Sequence, residues 1–195
     1  LADNSDARSI VKRCIELFSA ISSVEDISPD LRVSASNKEV KRGIDIDPDL
    51  RGIVFGTVAR LGNKNEFNKL HKLHNSSALS EERNTIAAAL TAFRQPDLIK
   101  RALDIVTTDD VRLQDVSYWI AYSFMNRYAR KQTWLWLKNN WNWLHENLGT
   151  DLAFYRMPIY AARVNSDPNF ISDYKKFFES KMSPALERSY KQGLE

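Results

Sequence analysis

Between Asp47 and Asp104 the helix boundaries are written in capping chemistry. Asp47-Pro48 opens one helix and Leu61-Gly62-Asn63 closes it, while Ser80-Glu81-Glu82 opens the third of the run and Gln95-Pro96-Asp97 separates it from a fourth. Proline suits a first helical turn because its missing N–H has no intrahelical partner there. Glycine just past the end is expected to take up the left-handed backbone that stops a helix. Helix after helix joined by tight turns, with no strand between them, restricts this stretch to a bundle or a stacked array of hairpins.

The apolar spacing agrees. Val54, Thr57, Val58 and Leu61 form one stripe, Ile86, Ala89, Leu90 and Phe93 a second, and Ile99, Ala102, Leu103 and Val106 a third. Each has the i, i+3, i+4, i+7 spacing of a helix with one buried side. Upstream, residues 5–22 predict an amphipathic helix with Ile10, Cys14, Leu17 and Ile21 inward, followed by a polar segment, 23–46, in which Ser28-Pro29 is a further helix start. Downstream, Val111–Tyr128 and Lys131–Leu148 are the strongest helical segments. Asp167-Pro168 starts a helix with Phe170, Tyr174, Phe177 and Phe178 inward, and Ser183-Pro184 starts the last one. Five of the six prolines fall at predicted helix starts. Pro158 is the exception and is expected to interrupt or kink the helix after Asp151. The prediction is an all-α chain, an α-α superhelix (solenoid) of helical hairpins forming a single domain over residues 1–195. The tripeptide Pro-Asp-Leu recurs at Pro29, Pro48 and Pro96 with unequal spacing, so the repeat is architectural and not one of sequence.

With 43% hydrophobic and 27% charged residues, the chain has the balance of a globular protein, and its net charge of +3 demands no polyanionic partner. No apolar run approaches the ~20 residues of a membrane span. Cys14 is the single cysteine, so an internal disulfide is excluded and the compartment is left open. The chain begins Leu1-Ala2-Asp3 and ends inside a predicted helix, so a piece of a longer polypeptide is expected.

All five tryptophans lie between Trp119 and Trp143. Trp134, Leu137, Trp141, Leu144 and Leu148 follow a 3-4-3-4 spacing, with Trp136, Asn140 and Trp143 on a second face. Beside Arg127, Arg130, Lys131 and Lys138 they resemble a platform for stacking bases. Helical spacing and sparse basic residues favour an aromatic core instead, and no nucleic acid is expected as a partner. His71 and His74, with His145 and Cys14 elsewhere, fall short of the paired ligands of a structural zinc site. His145-Glu146-Asn147-Leu148-Gly149 begins like His-Glu-x-x-His but has Gly149 in place of the second histidine, and reads as a helix end. Asp109-Asp110 is expected to cap the helix that follows. Neither a phosphate-binding glycine loop nor a Gly-x-Ser-x-Gly elbow occurs, so no catalytic residue is assigned.

One resemblance supplies what these residues do not. Asp49-Leu50-Arg51, Val58-Ala59-Arg60-Leu61-Gly62 and Glu66-Phe67 with Leu70 and His74 are similar to a stretch in the C-terminal domain of M1-family zinc aminopeptidases. The similarity continues through Glu81-Glu82-Arg83, Ala88-Ala89-Leu90 and Gln95 to Leu103, resumes at Trp134 to Trp143, and closes with Phe177-Phe178 and Ala185-Leu186-Glu187-Arg188. It covers residues 47–195, with 1–46 matching less well. Phe67 and His74 stand where the family often has Trp and Tyr.

The resemblance implies a superhelix of HEAT-like or armadillo-like hairpins that packs on a catalytic domain, encloses the substrate chamber and helps position peptide substrates. The zinc and its His-Glu-x-x-His motif belong to that catalytic domain of the parent protein, so this fragment is expected to carry no metal and no peptidase activity of its own. Arg127, Arg130, Arg156 and Arg163 are the candidates for contact with a peptide carboxylate. The parent is expected in the cytoplasm, with the endoplasmic reticulum and the extracellular space as alternatives. Two other classes remain at this level: a free-standing helical-repeat adaptor that binds a protein or peptide in its groove, and a nucleic-acid-binding repeat.

Overall fold

A computed structural model describes residues 4–21, 46–163 and 167–195; the helix start at Ser28-Pro29 and the polar segment around it lie outside the described residues. Among the described residues there are eleven α-helices and two single 3₁₀ turns, with no strand. They divide into two compact units, Leu1–Phe93 and Arg94–Glu195.

The first unit contains α1 (Asn4–Ser19), α2 (Pro48–Leu61), α3 (Lys64–Ser76) and α4 (Ser80–Leu90), with α2 packed on α1, α3 and α4 and with α3 also against α4. Capping explains the boundaries. Asp47 accepts from the Asp49 N–H at 3.0 Å with Pro48 in the first turn. Asn63 and Glu66 form a reciprocal capping box that starts α3 directly after α2. Ser80 is the first residue of α4, and the N-cap position is held by Leu79, whose side chain cannot cap. Gly62 corrects the left-handed expectation. Its φ is −78°, and what requires glycine is space, because a Cβ there would stand 2.6 Å from the Val58 carbonyl and 2.9 Å from Glu66.

The buried face of the first unit is also shifted from the predicted stripes. Cys14, Phe18 and Ile21 are buried on α1 while Ile10 is 58% exposed; on α2, Val54, Phe55, Val58 and Ala59 are buried while Leu61 is 56% exposed. Phe18 meets Phe55 edge to face with ring centres 6.1 Å apart. No basic residue lies in the last turn of α1. Lys69 of α3 supplies the missing cation, donating to the Phe18 and Ser19 carbonyls at 2.8 and 3.2 Å. Burial lowers the Lys69 pKa.

The second unit contains α5 (Pro96–Ile105), a 3₁₀ turn at Leu113–Asp115, α6 (Val116–Met125), α7 (Arg130–Asn139), α8 (Trp141–Leu148), a 3₁₀ turn at Phe154–Arg156, α9 (Met157–Ala162), α10 (Pro168–Glu179) and α11 (Pro184–Leu194). Here α6 packs on α5, α7 and α9, and α9 on α10 and α11. Three predicted features change. The segment 131–148 is two helices, because Asn140 leaves helical geometry (φ −103°, ψ 12°) and turns its side-chain amide back onto the Trp136 carbonyl at 2.8 Å. The segment 111–128 is helical only from Leu113, and the N-cap positions are held by Arg112 and Asp115, not by Asp109 or Asp110. Pro158 does not kink a helix; it sits in the first turn of α9, so all five described prolines open helices.

Gly193 allows α11 to approach α9, since a Cβ there would lie 2.5 Å from the Tyr174 hydroxyl and 2.9 Å from Ala162. Tyr174 and Tyr190 stack with ring centres 5.6 Å apart, and the Tyr190 hydroxyl donates to Glu179 at 2.8 Å. Burial, then the Glu179 carboxylate, pushes the Tyr190 phenol up to about 12, and burial raises Tyr174 as well. A phenol raised above its unfolded value of ~10 contributes stability that is complete below that value and is lost as pH rises through the folded one. Urea-unfolding midpoints should therefore hold steady up to about pH 9.5 and fall between ~10 and ~12, with Tyr190→Phe flattening part of that fall. An unchanged fall in the Tyr190→Phe variant would show that Tyr190 is not one of its causes.

Candidate functional site

The aromatic run resolves into core. Trp119, Trp134 and Trp141 are buried, Trp136 and Trp143 half-buried. Trp134 is surrounded by Phe170, Phe177, Phe178 and Tyr174 of α10 at ring-centre distances of 5.3, 5.3, 5.8 and 6.2 Å. Trp141 meets Phe154 at 4.8 Å as well as Phe177 and Phe178. Rings packed on each other at these distances have no free faces on which a base could stack. The 3-4-3-4 face survives the break at Asn140, since Trp134, Leu137, Trp141, Leu144 and Leu148 are all buried.

One polar node lies at the edge of this core. Asp173 accepts from the Trp134 indole at 2.7 Å and from the Lys138 ammonium at 2.5 Å. The Lys138 hydrogen bond, with that of Trp134 behind it, holds the Asp173 carboxyl below the usual carboxylate range. Lys138 also lies 5.3 Å from the Trp134 ring centre. By sequence Lys138 stands beside the tryptophan run. The structure gives it to an ion pair, and Asp173, which received no role from the sequence, is the partner.

The histidines follow their helices. His74 is 1% exposed on the buried face of α3 beside Phe67 and Leu70, with Nδ1 3.1 Å from the Asn75 side-chain oxygen. His145 is exposed near the end of α8, where the Gly149 N–H bonds the His145 carbonyl at 2.9 Å. Among the described residues no three His, Cys, Asp or Glu side chains converge as ligands for a metal ion.

The four candidate arginines separate into two places in the second unit. Arg127 lies in the turn after α6 and Arg130 is the first residue of α7. Arg127 is exposed and donates to the Tyr128 hydroxyl at 2.6 Å, whereas Arg130 is half-buried with its Nε on the Phe124 carbonyl at 3.2 Å. Arg156 and Arg163, both exposed, flank α9. The structure adds Arg94 to the first pair, its guanidinium 5.5 Å from the Tyr128 ring centre. Arg94 stands just before Pro96 at a predicted helix start, and nothing in its own neighbourhood pointed to residue 128. The Arg127 hydrogen bond, with the charges of Arg127 and Arg94, lowers the Tyr128 phenol below its ordinary value.

Capped helices, an aromatic core and a cationic turn define a helical scaffold domain. Over residues 2–195 the chain matches the ERAP1-like C-terminal domain, and it belongs to that family. It is 28% identical over 149 residues to aminopeptidase N of Lactobacillus helveticus, covering 75% of this chain and 18% of that protein. It is 26% identical over 166 residues to aminopeptidase N of Lactococcus lactis subsp. lactis (strain IL1403), covering 84% and 19%, and 25% identical over 155 residues to aminopeptidase M1 of Arabidopsis thaliana, covering 77% and 17%. The chain thus spans less than a fifth of the length of these curated relatives. The family match extends to residue 2, through the N-terminal segment where the sequence resemblance is weakest. No helix among the described residues is long and apolar enough to cross a membrane.

Proposed function

We propose that this chain is the non-catalytic C-terminal domain of an M1-family zinc aminopeptidase, acting as one helical-repeat domain within a longer polypeptide. It packs on the parent's catalytic domain, encloses the substrate chamber and helps position peptides for removal of their N-terminal residue. The observation that carries this reading is the family match over residues 2–195. The relatives of which the chain is a small part are aminopeptidases, which supports a catalytic domain elsewhere in the polypeptide. Zinc would be held there and not by this chain, whose described residues offer no convergent ligand set. Large apolar side chains at the surface of the first unit, Ile10, Ile15, Ile53 and Leu61 among them, fit a domain that meets further protein. Contacts with the distal part of a peptide raise turnover to the extent that they strengthen in the transition state at the zinc.

The test pairs the coding sequence upstream of Leu1 with an assay on aminoacyl reporters. A His-Glu-x-x-His motif upstream, zinc-dependent cleavage by the full-length parent and none by the 195 residues alone are expected. Zinc-dependent cleavage by the isolated chain would overturn the assignment. So would a reading frame that starts near Leu1, which would leave a helical-repeat adaptor.

A further inference from the structure

Helix α1 is apolar on two sides. Cys14 and Phe18 are buried within the first unit, Phe18 edge to face with Phe55 of α2. On another side Ala7 and Ile15 are exposed and Val11 is half-buried, at spacings of four residues that bring them onto one face. These three line an open groove together with Leu61 at the end of α2. Its volume, about 670 Å³, is far above the ~30 Å³ that one water occupies, so it is sized for side chains and not for a hydration site. Ile15 is 46% and Leu61 56% exposed there.

A helix with apolar residues on all sides belongs between neighbours, whereas the outermost helix of a stacked array turns a polar face to water. In the second unit α11 has such a face: Leu186 and Ser189 are buried, while Glu187, Arg188, Lys191 and Gln192 are exposed. By the same criterion α1 has the composition of an inner helix. The charges say what kind of neighbour fits it. Arg8 and Lys12 line the groove against one acid, Glu16, which lies 4.0 Å from Lys12 and is shared with Arg13 at 3.5 Å. Both pairs are exposed, so they hold these side chains only weakly. An apolar surface with surplus positive charge at its rim fits apolar side chains flanked by an acid.

We propose that this groove seats an amphipathic helix of the parent polypeptide outside residues 1–195, with its apolar stripe on Val11, Ile15 and Leu61 and an Asp or Glu beside that stripe at Lys12. That a parent polypeptide exists rests on the proposed function; the character of the occupant rests on α1 and α2. More than four-fifths of the length of the curated relatives lies outside the part this chain matches, ample polypeptide to supply a helix. A helix fits better than an extended segment because it pairs its own backbone groups, and the two helices that form the groove offer no strand edge to pair with. The contact fastens the first unit to the rest of the parent.

Two measurements on the full-length protein that carries this chain test the proposal. The first is the rate at which Ala7→Cys and Leu61→Cys variants react with a maleimide, read by peptide mass spectrometry and compared with the same variant in urea. Both positions are exposed within this chain, so uncovered thiols would react at close to the urea rate; a seated helix should slow each by about tenfold or more. The second is zero-length carbodiimide coupling, which joins the Lys12 amine to a carboxylate in contact with it. Isotope-labelled and unlabelled protein are mixed, so that coupling within one molecule is distinguished from coupling between two. Lys100 and Asp104, 2.6 Å apart, are the internal standard. The expected product joins Lys12 to an Asp or Glu outside residues 1–195 of the same molecule, beside apolar residues at i, i+3 or i+4, and i+7 spacing, and is absent in Lys12→Arg. Full-rate labelling of either cysteine would overturn the proposal. So would protection without any coupling from Lys12, with coupling only to acids of residues 1–195 (the segment 22–45 included) or of a second molecule, or with coupling to a segment that lacks the helical stripe. Neither readout involves turnover or the zinc motif, so the groove can fail while the aminopeptidase assignment stands. A reading frame that starts near Leu1 would remove the parent itself, and the coding sequence reports that separately.

Discussion

Replacing Trp134 with alanine is expected to destabilise the second unit by about 3–5 kcal/mol, the range for removing a large buried aromatic side chain. Trp134 is only 5% exposed and is enclosed by four aromatic rings of α10, so no nearby small side chain can collapse into the space it leaves. Its indole N–H is the second part of the effect, because it is one of the two donors on Asp173. Trp134→Phe separates the two. It keeps a ring against Phe170 and Phe177 and removes the hydrogen bond, so about 1–2 kcal/mol is expected, at the low end because Asp173 is partly solvated. Urea unfolding followed by circular dichroism reads both, since the tryptophan fluorescence is itself altered. Alanine and phenylalanine variants of equal stability would mean that the ring packing seen here contributes little. Against a typical total of ~5–15 kcal/mol, that loss is a large share of the stability.

The all-helical class and most helix starts were legible in the sequence because they depend on local chemistry. Asp47, Asp167 and Ser183 cap helices whose first turns hold Pro48, Pro168 and Pro184, and this requires no knowledge of the tertiary fold. Pro158 obeys the same rule; it looked like a kink only because a helix was expected to run on from Asp151, where a 3₁₀ turn that periodicity does not reveal separates it from the residues upstream. What was less legible is which side of a helix is covered. Ile10 and Leu61 fit their stripes by spacing, yet both are exposed, and Phe18, Phe55 and Ala59 take the buried positions. A stripe defines a face only to within a residue or so; the neighbouring helix decides the rest. The break at Asn140 is a further case, since apolar spacing runs through it undisturbed and only the turned-back amide marks it.

The candidate site divides along the same line. Arg127 and Arg130 are candidates only through the family resemblance, and the structure places Arg127 in the turn after α6 and Arg130 at the start of α7. Arg94 and Asp173 are not among the candidates, because their roles come from partners far along the chain. Lys138 and Asp173 are separated by 35 positions, and Arg94 meets Tyr128 only because α5 packs on Ala129. Charge alone does not report such pairings. Arg51 stands out in the sequence only within the family-like Asp49-Leu50-Arg51, and its electrostatic role likewise appears only in three dimensions.

That role makes Glu82→Ala the second large effect. Arg51 Nη1 meets Glu82 Oε1 at 2.7 Å with side chains only 16% and 10% exposed, Arg51 Nε donates to the Ile46 carbonyl at 2.9 Å, and the Ser77 hydroxyl donates to the other Glu82 oxygen at 2.5 Å. Removing the carboxylate leaves a guanidinium poorly solvated between α2 and α4, and about 3–5 kcal/mol is expected. Glu82→Gln keeps an acceptor near Arg51 and Ser77 but not the charge, so an intermediate loss is expected. The paired replacement Arg51→Met with Glu82→Leu should recover much of the loss, because well-packed apolar groups of similar size avoid the desolvation of both ions. Asp104→Ala is the reference, since its pair with Lys100 is exposed and an i,i+4 pair of that kind contributes about 0.3–0.5 kcal/mol. If Glu82→Ala cost no more than Asp104→Ala in the same urea titration, the Arg51–Glu82 pair would have to be solvated in the folded chain. If it costs several-fold more and the double replacement restores stability, the pair fixes how α2 meets α4 and contributes little net stability.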